Sequence, residues 1–101
     1  MNDWMHMQEQ PSEQLALHHY FSVVKRQQGK DIPFRITVKE FATPPPGQYV
    51  RFFAEADKEL NQKTAAFVPC GWSNSLYSAL GDCVRLIRQF PYEGEMPAAE
   101  E

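Results

Sequence analysis

The chain has little cysteine, with only Cys70 and Cys83 among its 101 residues. Small secreted domains that depend on disulfide bonds carry many more, so the sequence excludes a disulfide scaffold. No apolar run approaches the roughly 20 residues of a membrane-spanning helix. The first residues also lack the basic start and apolar stretch of a signal peptide. These absences together predict a cytoplasmic protein that makes no contact with a membrane.

The chain also lacks an excess of positive charge, a glycine-rich loop and a metal-binding motif. Ten Lys and Arg against thirteen Asp and Glu give a formal net charge of −3, whereas bulk capture of nucleic acid usually needs a basic excess. The five glycines are scattered singly and form no phosphate-binding loop. His18 and His19 would diverge by about 100° on a helix, and no Cys-x-x-Cys or His-x-x-x-His spacing occurs. The sequence therefore predicts no metal and no cofactor.

One cysteine is a candidate nucleophile. Cys70 lies in the turn Pro69–Ser73, just before a predicted helix whose dipole would favour a thiolate. Such a nucleophile needs a base within hydrogen-bonding distance, and the three histidines, at positions 6, 18 and 19, lie near the other end of the chain. A thiol-dependent enzyme that uses Cys70 is therefore an alternative, while the sequence as a whole predicts that the protein is not an enzyme.

The apolar residues repeat with two different periods. Leu17, Tyr20, Phe21 and Val24 recur at helical spacing between a capping Ser12 and a terminating Gly29, which predicts a helix over residues 13–28. The next segment alternates strictly and predicts a strand that ends or bulges at Glu40–Phe41. Its apolar residues are Ile32, Phe34, Ile36 and Val38.

The remaining elements complete an α+β fold. Residues 49–57 predict a second strand, with Val50, Phe52, Ala54 and Ala56 on one side, and residues 64–68 predict a short third strand. A last helix, capped by Ser73 or Asn74 and halted by Pro91, has its apolar residues at helical spacing. The predicted fold is a single small domain over residues 12–92, helix–strand–strand–strand–helix, with a three-stranded antiparallel sheet. A flexible N-terminal arm, 1–11, and a disordered acidic tail, 93–101, flank it.

This order of elements is similar to that of the double-stranded-RNA-binding domain, and the resemblance is one of order alone. That family places a lysine cluster at the start of its last helix. The corresponding segment here, Ser73–Tyr77, has no positive charge. The resemblance therefore implies a fold and not duplex-RNA binding.

Two helices that cover one face of a sheet leave the other face open, and this face is the candidate binding surface. One allocation of side chains places Tyr49, Arg51 and Phe53 beside Arg35 and Lys39, with Phe67 nearby. The predicted partner-binding residues are Arg35, Tyr49, Arg51, Phe53 and Trp72. Tyr, Phe and Arg are typical of protein-binding hot spots, and basic residues among aromatic ones also stack bases and bind phosphates.

By elimination, the leading hypothesis is a non-enzymatic interaction module that docks on a protein partner. Such a module would be an adaptor, a regulator or an inhibitor. Small acidic proteins without a catalytic set often work this way, including inhibitors encoded by mobile elements. A negative net charge would suit an inhibitor that occupies a basic, nucleic-acid-binding surface. Single-stranded nucleic-acid or RNA binding through the same face is the alternative, and the exposed face or a sheet edge is also a candidate homodimer interface.

Overall fold

The computed structural model describes residues 3–95, which form one antiparallel sheet with a helix on one face. A short 3-10 helix, Asp3–Met7, comes first. The strands are β1 (Ala16–Gln27), β2 (Lys30–Phe41), β3 (Phe52–Ala56) and β4 (Cys70–Ser73), and α1 is Leu76–Gln89. The strands pair in chain order, β1-β2-β3-β4. The predicted α+β class is confirmed, with four strands instead of three and one α-helix instead of two.

The prediction of a helix over residues 13–28 was wrong, because β1 occupies that segment. Its residues alternate as well as they follow a helical period, and aromatic and β-branched side chains such as Tyr20, Phe21 and Val23 favour strands. Gln28 and Gly29 have φ of 52° and 76°, respectively. Positive φ at both central residues is typical of a two-residue hairpin turn. Gly29, which the sequence predicts to end a helix, is therefore part of the turn that joins β1 to β2.

The alternating strand is confirmed and is longer than predicted. All of β2 pairs with β1 without interruption, from Gln27 opposite Lys30 to Ala16 opposite Phe41, so there is no bulge at Glu40–Phe41. The strand ends at Phe41, which is the other alternative predicted there. The alternating residues Ile32, Phe34, Ile36 and Val38 are fully buried. This strand therefore fixes which face of the sheet is covered.

The second predicted strand is shorter than expected, and the third is misplaced. β3 keeps the predicted division of faces, with Ala54 and Ala56 buried. The segment predicted as a strand over 64–68 makes only an isolated bridge, Phe67 to Leu60. The partner of β3 is instead β4, in the segment that the sequence assigned to a turn. The connection between β3 and β4 folds inward because the side chain of Leu60, which is fully buried, is part of the hydrophobic core.

The predicted C-terminal helix is confirmed as α1, but its N-cap is Ser75 instead of the predicted Ser73 or Asn74. The Ser75 hydroxyl accepts a hydrogen bond from the Ser78 N–H at 3.1 Å, as expected for an N-cap residue. Ala79, Cys83 and Ile87 are the buried residues of α1. They pack on the side chains of β2 and β3 in one hydrophobic core, whose remaining members include Leu60 and Tyr92.

Lys25 ties β1 to the end of α1. Its ammonium group donates hydrogen bonds to the carbonyl oxygens of Ile87 and Phe90, at 2.8 and 2.6 Å. Burial lowers the pKa of Lys25 below its ordinary value. A cation at this position complements the partial negative charge at the C-terminal end of a helix.

The regions outside the predicted domain are only partly described. Trp4, in the 3-10 helix, is half-buried. At the other end, the Glu93 carboxylate accepts a hydrogen bond from the Lys63 N–H, and the Glu95 carbonyl accepts one from the Tyr92 hydroxyl. Residues 96–101 of the predicted tail, and residues 1–2 of the predicted arm, lie outside the described residues. Because the first long element is a strand, the order of elements also differs from that of the double-stranded-RNA-binding domain.

Candidate functional site: the open face of the sheet

The face of the sheet opposite α1 carries the candidate site. Side chains alternate between the two faces of a strand, and the burial of Ile32, Phe34, Ile36 and Val38 against α1 assigns the other set to the opposite side. We call this side the open face. Its members, read from the strand pairing, are Ala16, His18, Tyr20, Ser22, Val24, Arg26, Asp31, Pro33, Arg35, Thr37, Lys39, Phe41, Phe53, Glu55, Cys70 and Trp72.

Three aromatic rings meet at the β4 side of this face. The rings of Phe53 and Trp72, which are direct cross-strand neighbours, lie 4.4 Å apart between centroids. The ring of Phe41 stacks on Trp72 at 6.2 Å, with only 13° between the planes. Phe41 is buried and Phe53 half-buried, whereas 36% of the Trp72 surface stays exposed. This aromatic cluster presents an apolar surface to the solvent, mainly through the exposed part of Trp72.

Charged side chains of both signs surround the aromatic cluster. Lys39 lies directly opposite Phe53 on β2, and Arg51 precedes β3 and is exposed. Glu55 lies two residues after Phe53 on the same face of β3. The Asp57 carboxylate accepts a hydrogen bond from the Arg35 N–H at 3.0 Å. The face is therefore not uniformly basic: cations lie beside the aromatic rings, and carboxylates lie further along the sheet.

The five residues predicted to bind a partner are only partly brought together. Arg35, Phe53 and Trp72 lie on the open face, and Phe53 and Trp72 are in contact. Arg51 lies at its border, where its carbonyl accepts a hydrogen bond from the Phe41 N–H. Tyr49 lies in the loop between β2 and β3 and is 94% exposed.

The predicted neighbourhood of these residues also needs correction. Lys39 is beside Phe53 as expected, but the backbone of Arg35 pairs with Asp57, at the other end of β3. The ring of Phe67 packs edge-on against Phe90, 5.1 Å away, at the border of the core. Phe67 is therefore not part of the open face.

β1 supplies a part of the open face that was not predicted from the sequence. Tyr20 and Val24 are 63% and 59% exposed, and the ring of His18 lies edge-on to Tyr20 with 6.1 Å between centroids. A signal for these residues was present in the sequence. Leu17, His19, Phe21 and Val23 alternate with them, and Gln28–Gly29 is a hairpin turn.

In the described part of the chain, no hydrogen bond joins Cys70 to a histidine. Cys70 lies on β4 and His18 on β1, so two strands separate them, or about 14 Å at the usual strand spacing. The ring nitrogens of His18 and His19 are within hydrogen-bonding distance of the Tyr20 hydroxyl and the Glu40 carboxylate, respectively. The arrangement that a cysteine nucleophile requires is absent among these residues.

Alkylation is expected to modify one of the two cysteines in the folded protein. Cys83 is fully buried and its thiol donates a hydrogen bond to the Pro69 carbonyl. Burial, with smaller contributions from Cys70 and Glu55, raises the pKa of Cys83 to about 12. Because the thiolate is the reactive form, iodoacetamide at pH 8 to 9 is expected to modify Cys70 alone.

Intact-mass measurement checks this expectation. Two modified cysteines are expected only after denaturation, and a Cys70→Ser variant should stay unmodified while it is folded. Modification of both thiols at equal rates in the native protein would contradict the burial of Cys83.

The outer surface of α1 is a second surface with polar side chains. The Arg85 guanidinium donates a hydrogen bond to the Asp82 carboxylate at 2.5 Å, one turn earlier. Exposed pairs of this kind stabilise a helix by a few tenths of a kcal/mol, about 0.2–0.5. A shallow depression of about 420 Å³ lies beside the pair, next to Tyr77 and Arg88. A stabilised helix surface accounts for this pair.

Comparisons with known proteins add no assignment. No protein-family model, no curated protein and no solved structure matches this chain. Within residues 3–95, no group of three or more His, Cys, Asp or Glu side chains is arranged to hold a metal ion. Over the same described range, none of the helices has the length and apolar character needed to span a bilayer.

Proposed function

We propose that this chain is a non-enzymatic interaction module, an adaptor, regulator or inhibitor, that docks on a protein partner through the open face. One observation carries the proposal: Trp72 is packed on Phe53 yet remains 36% exposed, on a side of the sheet opposite the helix. Tryptophan held rigidly by its neighbours loses little conformational entropy on binding and is enriched among hot-spot residues. The aromatic cluster is therefore the centre of the proposed interface.

The charges around the cluster define the partner surface that fits it. Lys39 and Arg51 are exposed or half-exposed beside the rings, and neither forms an ion pair within residues 3–95. The complementary surface is an apolar side chain flanked by carboxylates. The local charge thus differs in sign from the net charge of −3, so an acidic partner surface fits the open face better than a basic one.

Nucleic-acid binding is the second candidate, and one row of side chains supports it. Lys39, Phe53 and Trp72 are consecutive cross-strand neighbours, so a cation and two rings lie side by side across the sheet. This combination can stack bases and bind a phosphate. Against it, the carboxylates of Glu55 and Asp57 lie on the same side and would repel a polyphosphate backbone. We therefore rank a protein partner first.

Substitution of Trp72 tests the proposed interface. Affinity capture from the native cell identifies the partner, and calorimetry then measures its affinity for purified variants. Trp72→Ala is expected to weaken binding by at least about 30-fold, which corresponds to the loss of a hot-spot residue. Tyr77→Ala is the matched control, because Tyr77 is an aromatic residue 86% exposed on α1, away from the open face.

The outcomes separate the candidates. A folded Trp72→Ala variant that binds the partner as tightly as the wild type would contradict the proposal. Fluorescence anisotropy with mixed-sequence single-stranded oligonucleotides tests the second candidate. Binding with a steep salt dependence, lost in Lys39→Ala and Arg51→Ala, would favour nucleic acid, whereas undetectable binding at low salt would remove that candidate.

A further inference from the structure

Among residues 3–95, no strand pairs with the outer edge of β1, which is long and regular. β1 is the first strand of the sheet and pairs with β2 over all twelve of its residues. It contains no proline, glycine or bulge. The opposite edge, β4, has only four residues. Proteins usually protect a long edge strand by such interruptions or by a covering segment, because its free backbone groups can pair with another strand.

The pairing shows which backbone groups of β1 are free. The Ala42 N–H donates to the Leu15 carbonyl at 2.9 Å, and hydrogen-bonded pairs recur at every second residue of an antiparallel ladder. The odd-numbered residues of β1 therefore bond to β2, and the even-numbered ones direct their N–H and C=O groups outward. No hydrogen bond within residues 3–95 reaches these outward groups. They belong to Ala16, His18, Tyr20, Ser22, Val24 and Arg26.

The side chains beside this edge favour the addition of a strand. Tyr20 and Val24 are largely exposed, and aromatic and β-branched residues form stabilising cross-strand pairs. Phe21 and Val23 on the other side are only partly buried against the core. The two cations at the end of β1 do not block the edge, because the side chain of each one contacts another part of the same chain. Lys25 binds the end of α1, and Arg26 forms an ion pair with Asp31.

We propose that two copies of this chain pair antiparallel through β1 and join their sheets into one continuous sheet. The charge distribution selects a second copy as the occupant. β1 has no acidic residue, and its hairpin end carries the exposed Lys30 and Arg26, whose side chain stays 70% exposed beside Asp31, whereas the segment that leads into β1 carries Glu9 and Glu13. Antiparallel pairing places the basic end of each β1 near the acidic segment of the other copy. The interface is therefore complementary to itself.

The free backbone groups also select a register. Residues opposite each other must lie on the same face of the joined sheet, so the two-fold axis passes through a residue of β1. An axis at Phe21 pairs all six residues that have outward groups, Ala16 with Arg26, His18 with Val24 and Tyr20 with Ser22, whereas an axis at any other residue leaves at least one of the six unpaired. We therefore place the axis at Phe21, with Tyr20 of each copy opposite Ser22 of the other. The dimer would leave both open faces exposed on one side, so this inference does not depend on the proposed function.

Sedimentation of the full chain tests the dimer, and Val24→Pro tests the edge. The wild type is expected to sediment at twice its mass of 11.7 kDa. Proline at position 24 removes an outward N–H and no hydrogen bond to β2, which edge strands tolerate. It is expected to raise the dissociation constant at least about tenfold. Val24→Thr, which keeps the N–H and the β-branch, should remain dimeric. A monomeric wild type, or a folded Val24→Pro variant that still dimerises normally, overturns the proposal.

Two further variants decide the outcome if Val24→Pro does not fold. Ser22→Lys places a cation on the outer edge and is expected to weaken the dimer likewise, since lysine on an edge opposes strand addition. In a Cys70→Ser background, Phe21→Cys should form a disulfide-linked dimer on mild oxidation, because the two thiols meet at the axis. Val23→Cys is the matched control, since the two copies of residue 23 would lie about 13 Å apart. Equal cross-linking of both variants contradicts the proposed register.

Discussion

Replacing Gly71 by alanine is expected to lower the free energy of unfolding by about 1–3 kcal/mol, because there is no room for a Cβ at this position. A Cβ on Gly71 would lie 2.6 Å from the Ala79 carbonyl oxygen and 2.7 Å from the Asp82 Cβ. The first of these atoms belongs to the backbone of α1, so relief requires the whole helix to move away from β4. Urea denaturation of the variant and the wild type measures the difference.

Gly81→Ala is the matched control and is expected to raise the free energy of unfolding, whereas Gly71→Ala lowers it. Gly81 is an exposed residue inside α1, and a Cβ there would meet no atom within 4 Å. Alanine favours a helix interior over glycine by about 0.8–1 kcal/mol, so this variant should be more stable than the wild type. Equal stability of Gly71→Ala and the wild type would show that α1 does not approach β4 as closely as described.

The parts of the fold that the sequence predicts correctly are those in which a single period fits the apolar residues. The alternation from Ile32 to Val38 leaves no helical alternative, and β2 has the predicted faces. Ala79, Cys83 and Ile87 recur at helical spacing without a competing alternation, and they are the buried residues of α1. In both elements the local pattern and the tertiary packing require the same conformation, which makes the pattern sufficient.

The sequence predicts the wrong element where the apolar residues fit a helical period and a strand period equally well. Leu17, Tyr20, Phe21 and Val24 match a helix, but Leu17, His19, Phe21 and Val23 match a strand. Pairing with β2 decides between them, and this interaction lies outside any local window. β4 was missed for a related reason. It has only four residues and contains Gly71, and only its position between β3 and α1 identifies it as a strand.

These errors determine how much of the candidate site could be predicted. Arg35 and Lys39 were assigned to the face opposite the core because the alternation of β2 fixes their direction. Phe53 follows from the alternation of β3, which pairs directly with β2. The contact of Trp72 with Phe53 could be predicted only if β4 was recognised as a strand. The contribution of Tyr20 to the open face could likewise be predicted only if β1 was recognised as a strand. The kinds of side chain in the candidate site could be predicted from the sequence. Which of these side chains are neighbours could not, because that depends on the pairing of strands that are distant in sequence.

Replacing Phe34 by alanine is expected to destabilise the protein by about 3–5 kcal/mol, the usual cost of removing a buried phenyl ring and leaving a cavity. Phe34 is fully buried, its ring meets that of Tyr92 edge-on at 6.0 Å, and the Lys58 ammonium lies 5.7 Å from the ring centroid. Small domains are stable by about 5–15 kcal/mol, so this single change would remove a large part of the total. Tyr49→Ala, at a residue 94% exposed, is the control and should change stability by no more than about 0.5 kcal/mol. Both values come from urea denaturation. A small effect at Phe34 would mean that β2 does not present this side to the core, and the assignment of Arg35 and Lys39 to the open face would then fail with it.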